Sequence, residues 1–215
     1  CQRFSMVLIE DAAESLGSHY KGRHTGAWGR LSVLSFNGNK TVTTGGGGAI
    51  LTNDADLAQS ARHLTTTAKL PHAWEFVHDR IGFNYRMPNV NAAIGCAQLE
   101  RLDDFVARKR RLAAAYVKAL ENVAGLRVFT EADFARSNYW LNLFLLDPEV
   151  AHWRDDLLTL CHKRGLLARP AWTPMHRLAM YANDPRMDLS VAEDLYRRLI
   201  NLPSSPRLAP SGTVE

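Results

Sequence analysis

Few features of this sequence narrow its class by themselves, and each scarcity excludes something. Cysteine is scarce: Cys1, Cys96 and Cys161 are odd in number and far apart, a pattern that supports neither a disulfide framework nor a paired-cysteine zinc site. A reducing cytoplasm is the expected location. The eight histidines lack metal-ligand spacing, so no metal site is expected. No apolar run approaches the roughly 20 residues needed to cross a bilayer, and the N-terminus has no basic-then-apolar signal pattern. No membrane partner is expected. One-sided charge is missing as well: 26 Lys and Arg against 22 Asp and Glu leave only +4, with the two signs interleaved. The densest basic run, Arg108 to Arg111, falls in a helical stretch where successive side chains point in different directions, so a solvated helix face explains it and no nucleic acid partner is expected. Internal repeats and low-complexity tracts are also lacking.

What is present is a globular composition, with 215 residues of which 46% are hydrophobic. The chain opens on Cys1 and enters the apolar run Met6-Val7-Leu8-Ile9 almost at once, which reads as a fragment of a longer chain. That run ends at Asp11 and is expected to be a buried, central parallel strand with a functional group at its C-terminal end. Gly17 to Gly29 reads as a loop, Leu31 to Phe36 as a second strand, and Ala49 to Thr52 as a third, after the four glycines Gly45 to Gly48. Asn53 or Asp54 can cap the helix that follows. Residues 65–88, with Pro71, Gly82 and Pro88, read as a long ordered loop.

From Asn89, apolar spacing predicts a helix through Val106 that resumes after a bend and closes at Gly125. Beyond it come strands near 126–129 and 139–146, a helix near 150–164, a strand near 166–169 and a helix near 190–200. The expected organisation is thus α/β: part of a large domain over 1–88, a linking helical region over 89–125, and a small α+β domain over 126–215.

The most informative segment is Ser35-Phe36-Asn37-Gly38-Asn39-Lys40-Thr41. A lysine just past a buried strand is placed to point its amine into a cleft, where burial makes it a better nucleophile. The plainer alternative is a solvated loop lysine. A phosphate-binding P-loop needs glycine immediately before the lysine and another five residues earlier, but Asn39 and Leu34 stand there. Asp11 is either a turn cap or a carboxylate set against a cofactor's ring nitrogen. Together with a strand-end lysine downstream, the second reading is the better one.

Four stretches, Ile9 to Gly17, Ser35 to Lys40 with its glycine-rich sequel, Gly82 to Asn89 and Arg169 to His176, closely resemble the DegT/DnrJ/StrS family of sugar aminotransferases. The resemblance implies the aspartate aminotransferase-like fold type I, pyridoxal 5'-phosphate (PLP) as cofactor, and at least a homodimer. It implies that Lys40 binds the cofactor covalently, that Asp11 faces the pyridine nitrogen, and that Ser35 donates to the cofactor phosphate. Asn84 is implied to reach the phosphate in a neighbouring subunit's site. Glu14 falls where many relatives carry glutamine or histidine near the ring hydroxyl, a departure in this sequence. Arg169 and His176 either stiffen a turn of the small domain or line the substrate site. The implied reaction is transamination of a nucleotide-linked 4-keto-6-deoxy sugar by glutamate, in surface-glycan or amino-sugar biosynthesis. The wording around Lys40 and Asn84 is most similar to enzymes of UDP-linked N-acetyl sugars. A PLP-dependent sugar dehydratase is the alternative within catalysis, although histidine replaces the lysine in such relatives. A PLP-binding regulator or inactive fragment is the alternative outside it.

Overall fold

A computed structural model describes residues 1–211. In chain order the strands and α-helices are β1 (Ile9–Asp11), β2 (His19–Tyr20), β3 (Arg23–His24), β4 (Leu31–Ser35), β5 (Gly48–Leu51), α1 (Ala55–Thr65), α2 (Asn89–Leu99), α3 (Leu102–Leu120), β6 (Leu126–Val128), β7 (Ala135–Arg136), β8 (Asn142–Leu146), α4 (Arg154–Lys163), β9 (Arg169–Pro170), α5 (Ser190–Arg198) and β10 (Leu199–Leu202). They fall into two compact units. One comprises residues 1–107 and 132–140, the other 108–131 and 141–211 of the described chain. Helix α3 runs on without a break through residue 107, and residues 132–140 return to pair with the first unit.

The first unit is built on a three-stranded sheet ordered β1-β4-β5. β1 and β4 run parallel, Asp11 opposite Val33, while β5 lies antiparallel to β4, Ser35 opposite Gly48. A Cβ on Gly48 would sit 2.4 Å from the Leu34 carbonyl oxygen, so the glycine run lets the returning strand close against β4. A second ladder, β3-β2-β7, lies inside the segment expected to be a plain loop. Its outer strand comes from beyond residue 130, a pairing that local sequence cannot announce.

Within this chain the first apolar run is open: Met6, Val7 and Ile9 are 59%, 57% and 63% exposed, and β1 begins only at Ile9. Among the described residues β1 has one neighbour, β4, and an edge strand leaves apolar side chains open. The Asp54 cap is as expected: its carboxylate accepts from Asp56 N and Leu57 N at 3.1 Å. Helix α2 packs on the turn after Lys40, where Asn91 Nδ2 donates to the Thr44 carbonyl at 2.6 Å. Gly95 belongs to the same contact, since a Cβ there would lie 2.9 Å from Thr44 Cγ2. The helical region breaks at residues 100–101, earlier than the apolar spacing predicts.

The second unit is an antiparallel sheet ordered β6-β8-β10-β9. Its core gathers Phe144, Leu146, Ala168 and Ile200, with Leu157 and Leu158 of α4 and Leu120 of α3 packed on them. β8 is buried almost throughout, the signature of a strand covered on both faces. The strand expected near 166–169 lies at Arg169–Pro170. The helix expected to reach residue 200 ends at Arg198, and the chain turns directly into β10. Those last four residues, Leu-Ile-Asn-Leu, satisfy a helical or a strand period equally, so pairing with β8 decides.

Candidate active site

Parallel pairing puts the C-terminal ends of β1 and β4 on one sheet edge, the edge where open α/β sheets place ligands. Asp11 ends β1 and Ser35 ends β4. The chain then turns, Lys40 N donating to the Asn37 carbonyl at 3.1 Å, and Lys40 pairs with Glu14, three residues past the end of β1. Asp11 is exposed, and its Oδ1 accepts from Ala13 N at 3.1 Å, so it caps the turn that leads to Glu14. The two readings of Asp11 are therefore compatible in geometry. Ser35 Oγ accepts from Asn37 N at 3.3 Å and fixes the start of the lysine turn.

The Lys40 side chain is only 11% exposed. Its ammonium donates to the Glu14 carboxylate and stands 4.4 Å from the centroid of the Trp140 ring. The amine is thus held from two sides, by a carboxylate and by an aromatic face. The Glu14 partner is itself 47% exposed, so a competing group can reach and displace it.

Two neighbours of this site carried no local signal in the sequence. Glu10, facing away from Asp11 on the same strand, takes three backbone N–H groups: Gly26 at 2.8 Å, Trp28 at 2.6 Å and Gly29 at 2.5 Å. Burial pushes its pKa up, but the donors at Gly29, Gly26 and Trp28 and the nearby Arg23 charge outweigh that and hold it below the usual carboxylate range. Asn138 is the other. Buried to 3% exposure, its Nδ2 lies 2.8 Å from the Glu14 carbonyl, 2.9 Å from the Leu16 carbonyl and 3.4 Å from Thr41 Oγ1.

Asn84 sits in the long loop, paired by an isolated bridge with Thr66. Gly82 allows this, because a Cβ there would be 2.4 Å from the Thr67 carbonyl carbon. Arg169 and His176 belong to the second unit. Arg169 Nη1 approaches His162 Nε2 at 3.4 Å, and His176 bonds to Glu193, which also takes Arg177. Arg177 and then His176 hold the Glu193 carboxyl down at about 2. Among the described residues no group of three or more His, Cys, Asp or Glu could hold a metal ion, and no helix is long and apolar enough to cross a membrane.

An amine at low exposure, a strand-end carboxylate and a strand-end hydroxyl on one edge are the groups a PLP ring, aldehyde and phosphate require. Comparison with known proteins bears on the family. The chain is 40% identical over 205 residues to the GDP-perosamine synthase of Escherichia coli O157:H7, an alignment covering 95% of this chain and 55% of the relative. It is 26% identical over 204 residues to a UDP-4-amino-4,6-dideoxy-N-acetyl-beta-L-altrosamine transaminase of Campylobacter jejuni, covering 94% of this chain and 54% of the relative. The structure of the aminotransferase TlmJ from Streptoalloteichus hindustanus superposes with a TM-score of 0.89 at 31% identity, covering 98% of this chain and 56% of that one. The chain therefore spans about half the length of the curated relatives it matches. Its architecture is the α/β fold type I of PLP-dependent transferases. The model of the DegT/DnrJ/EryC1/StrS aminotransferase family matches residues 1–213, and the chain belongs to that PLP-dependent family.

Proposed function

We propose that the protein carrying this chain transfers an amino group from glutamate to a nucleotide-linked 4-keto-6-deoxy sugar, with Lys40 as the residue that binds PLP covalently. The observation that carries the reading is the Lys40 amine, shielded and paired with Glu14 on the segment that follows Asp11 at the end of β1. PLP supplies an aldehyde for the amine and a ring that accepts the electron pair released at the reacting carbon. Asp11 has the role of keeping the ring nitrogen protonated, and Ser35 Oγ that of a donor to the phosphate. Lys40 Nζ would serve as the base that takes a proton at the donor's α carbon and gives one at the sugar carbon that receives the amino group. Glu14 lies beside the ring hydroxyl in this reading and gives up its ion pair with Lys40 when cofactor binds. Asn84 reaches the phosphate of a partner subunit in a homodimer, and Arg169 and His176 line the substrate side. Residues 1–88, 89–125 and 126–215 serve as part of a large domain, its helical link and a small domain, in a cytoplasmic enzyme.

Lysine at position 40 favours transamination over sugar dehydration. The nucleotide has two readings. The wording around Lys40 and Asn84 favours UDP and an N-acetyl sugar, whereas 40% identity to a GDP-perosamine synthase against 26% to a UDP-sugar transaminase favours GDP. The test is borohydride reduction of the full-length protein with PLP, followed by peptide mapping. Lys40 should carry the label, and Lys40→Ala should lose both label and turnover. Label on another lysine overturns the assignment. Glutamate consumed one for one with amino sugar, from the GDP-linked or the UDP-linked substrate, then identifies the nucleotide; its absence with both refutes the transaminase reading.

A further inference from the structure

The segment Ser137 to Trp140 is far from Lys40 in sequence yet reaches it from three directions. The Trp140 ring faces the Lys40 ammonium at 4.4 Å. Trp140 Nε1 donates to the Asn39 carbonyl at 2.8 Å, which pins the peptide bond leading into Lys40. One indole thus holds both ends of the lysine side chain, the amine by its face and the backbone by its edge. Asn138 sets the indole in turn. Its Oδ1 accepts from Trp140 N at 2.8 Å while its Nδ2 reaches the Glu14 carbonyl and Thr41 Oγ1, so one buried amide joins the Glu14 turn, the lysine turn and the tryptophan. Between the two lies Tyr139 with φ of 46°, a conformation that bulky residues rarely adopt and that kinks the chain so that Asn138 and Trp140 act on the same site.

We propose that Trp140 is a positioning residue for the Lys40 amine, set in place by Asn138. A lysine side chain has four rotatable bonds and gains most in precision when both ends are fixed. The ring face attracts the ammonium, which keeps the amine near Glu14 and out of bulk water until a carbonyl group displaces it. The proposal rests on the reading of Lys40 as the PLP lysine; its amine-labelling arm is made without cofactor, so that this arm stands or falls apart from that reading.

Trace acetylation of the cofactor-free, full-length protein, with each lysine peptide quantified, reads the accessibility of the Lys40 amine against the exposed Lys118. Trp140→Leu should speed Lys40 labelling relative to Lys118 by roughly threefold to tenfold, the range expected from loss of one cation–π contact. Trp140→Phe, which keeps a ring face and cannot perturb the fold by much, should restore most of the protection. It should still form the PLP link, followed by its absorbance, about as slowly as the leucine variant, because both lack the Nε1 pin. An unchanged Lys40 to Lys118 ratio in the leucine variant, or equal loss of protection in both variants, overturns the proposal. If Trp140→Leu unfolds, the phenylalanine variant decides: slower link formation with the amine still protected supports the proposal, and a wild-type rate refutes it. Borohydride labelling away from Lys40 in the wild type defeats the functional reading and leaves the labelling ratios to be judged alone.

Discussion

Removing the Glu10 carboxylate should destabilise the first unit. Its two oxygens take the N–H groups of Gly26, Trp28 and Gly29 at 2.8, 2.6 and 2.5 Å. A hydrogen bond to a charged group contributes about 1.5–3 kcal/mol net, but three donors share one carboxylate and the exposed Trp28 N–H can turn to water. Glu10→Ala is therefore expected to cost about 2–4 kcal/mol, or roughly 5–15 °C in Tm for a protein of this size. The pH dependence follows from the direction of the pKa shift. The folded carboxyl ionises below its ordinary value of 4.5, so its contribution is complete above that pH and is lost as pH falls through the folded value. Thermal unfolding followed by circular dichroism should show a gap between wild type and variant at about pH 7 that narrows by about pH 3.5. Glu10→Gln should fall between the two, since its amide turns one acceptor into a donor against the same N–H groups. A gap under about 2 °C at neutral pH, or one that does not change with acid, refutes the reasoning. The loop has a further consequence: Thr25 Oγ1 donates to the Ser15 carbonyl at 3.1 Å, so slack at Gly26 passes to the residue next to Glu14.

In the second unit Lys109 is 3% exposed, and burial pushes its amine down from 10.5 to about 8. Between those values the unfolded chain holds the proton more tightly, so stability should rise with pH there, by up to about 3 kcal/mol, and Lys109→Met should flatten that rise in urea titrations at about pH 7.5 and pH 10. Ile200, fully buried under α4, should cost about 2–5 kcal/mol as alanine, read as a lower urea midpoint with an unchanged slope. Gly82→Ala should cost about 1–3 kcal/mol, because the added carbon meets backbone atoms of Thr67 and Ala68 at 2.4 and 2.5 Å, and hydrogen exchange should quicken at Thr67 and Phe83 while the second unit is unaffected.

The legible parts of the fold are those where one residue type is forced by its immediate surroundings. Gly48 and Gly82 admit no side chain, Asp54 caps the helix it precedes, and Gly125 takes φ of 85° after α3; each is punctuation readable within a few residues. The helix expected near 190–200 overruns into the first two residues of β10, because its apolar and amide residues fit either period and only β8 and β9 beside it make the choice. The burial expected of the first strand rests on hydrophobicity alone, which reports a preference for burial and says nothing about how many neighbours a strand has in the described chain.

The same distinction divides the candidate site. Asp11 and Lys40 are legible as candidates because one ends a strand and the other follows one closely, where topology exposes functional groups, whereas Ser35 stands out only through the family resemblance. Asn138 and Trp140 occupy an unremarkable Ser-Asn-Tyr-Trp stretch, 124 residues from Glu14 in the case of Asn138, and nothing in their neighbourhood marks them. Chemistry is conveyed by residue type and is local. Position is conveyed by tertiary hydrogen bonds such as Asn138 to Glu14 and Trp140 to Asn39, and it becomes visible only when the chain has folded back on itself. A lysine with four rotatable bonds gains its use as a base from the second kind of information as much as from the first.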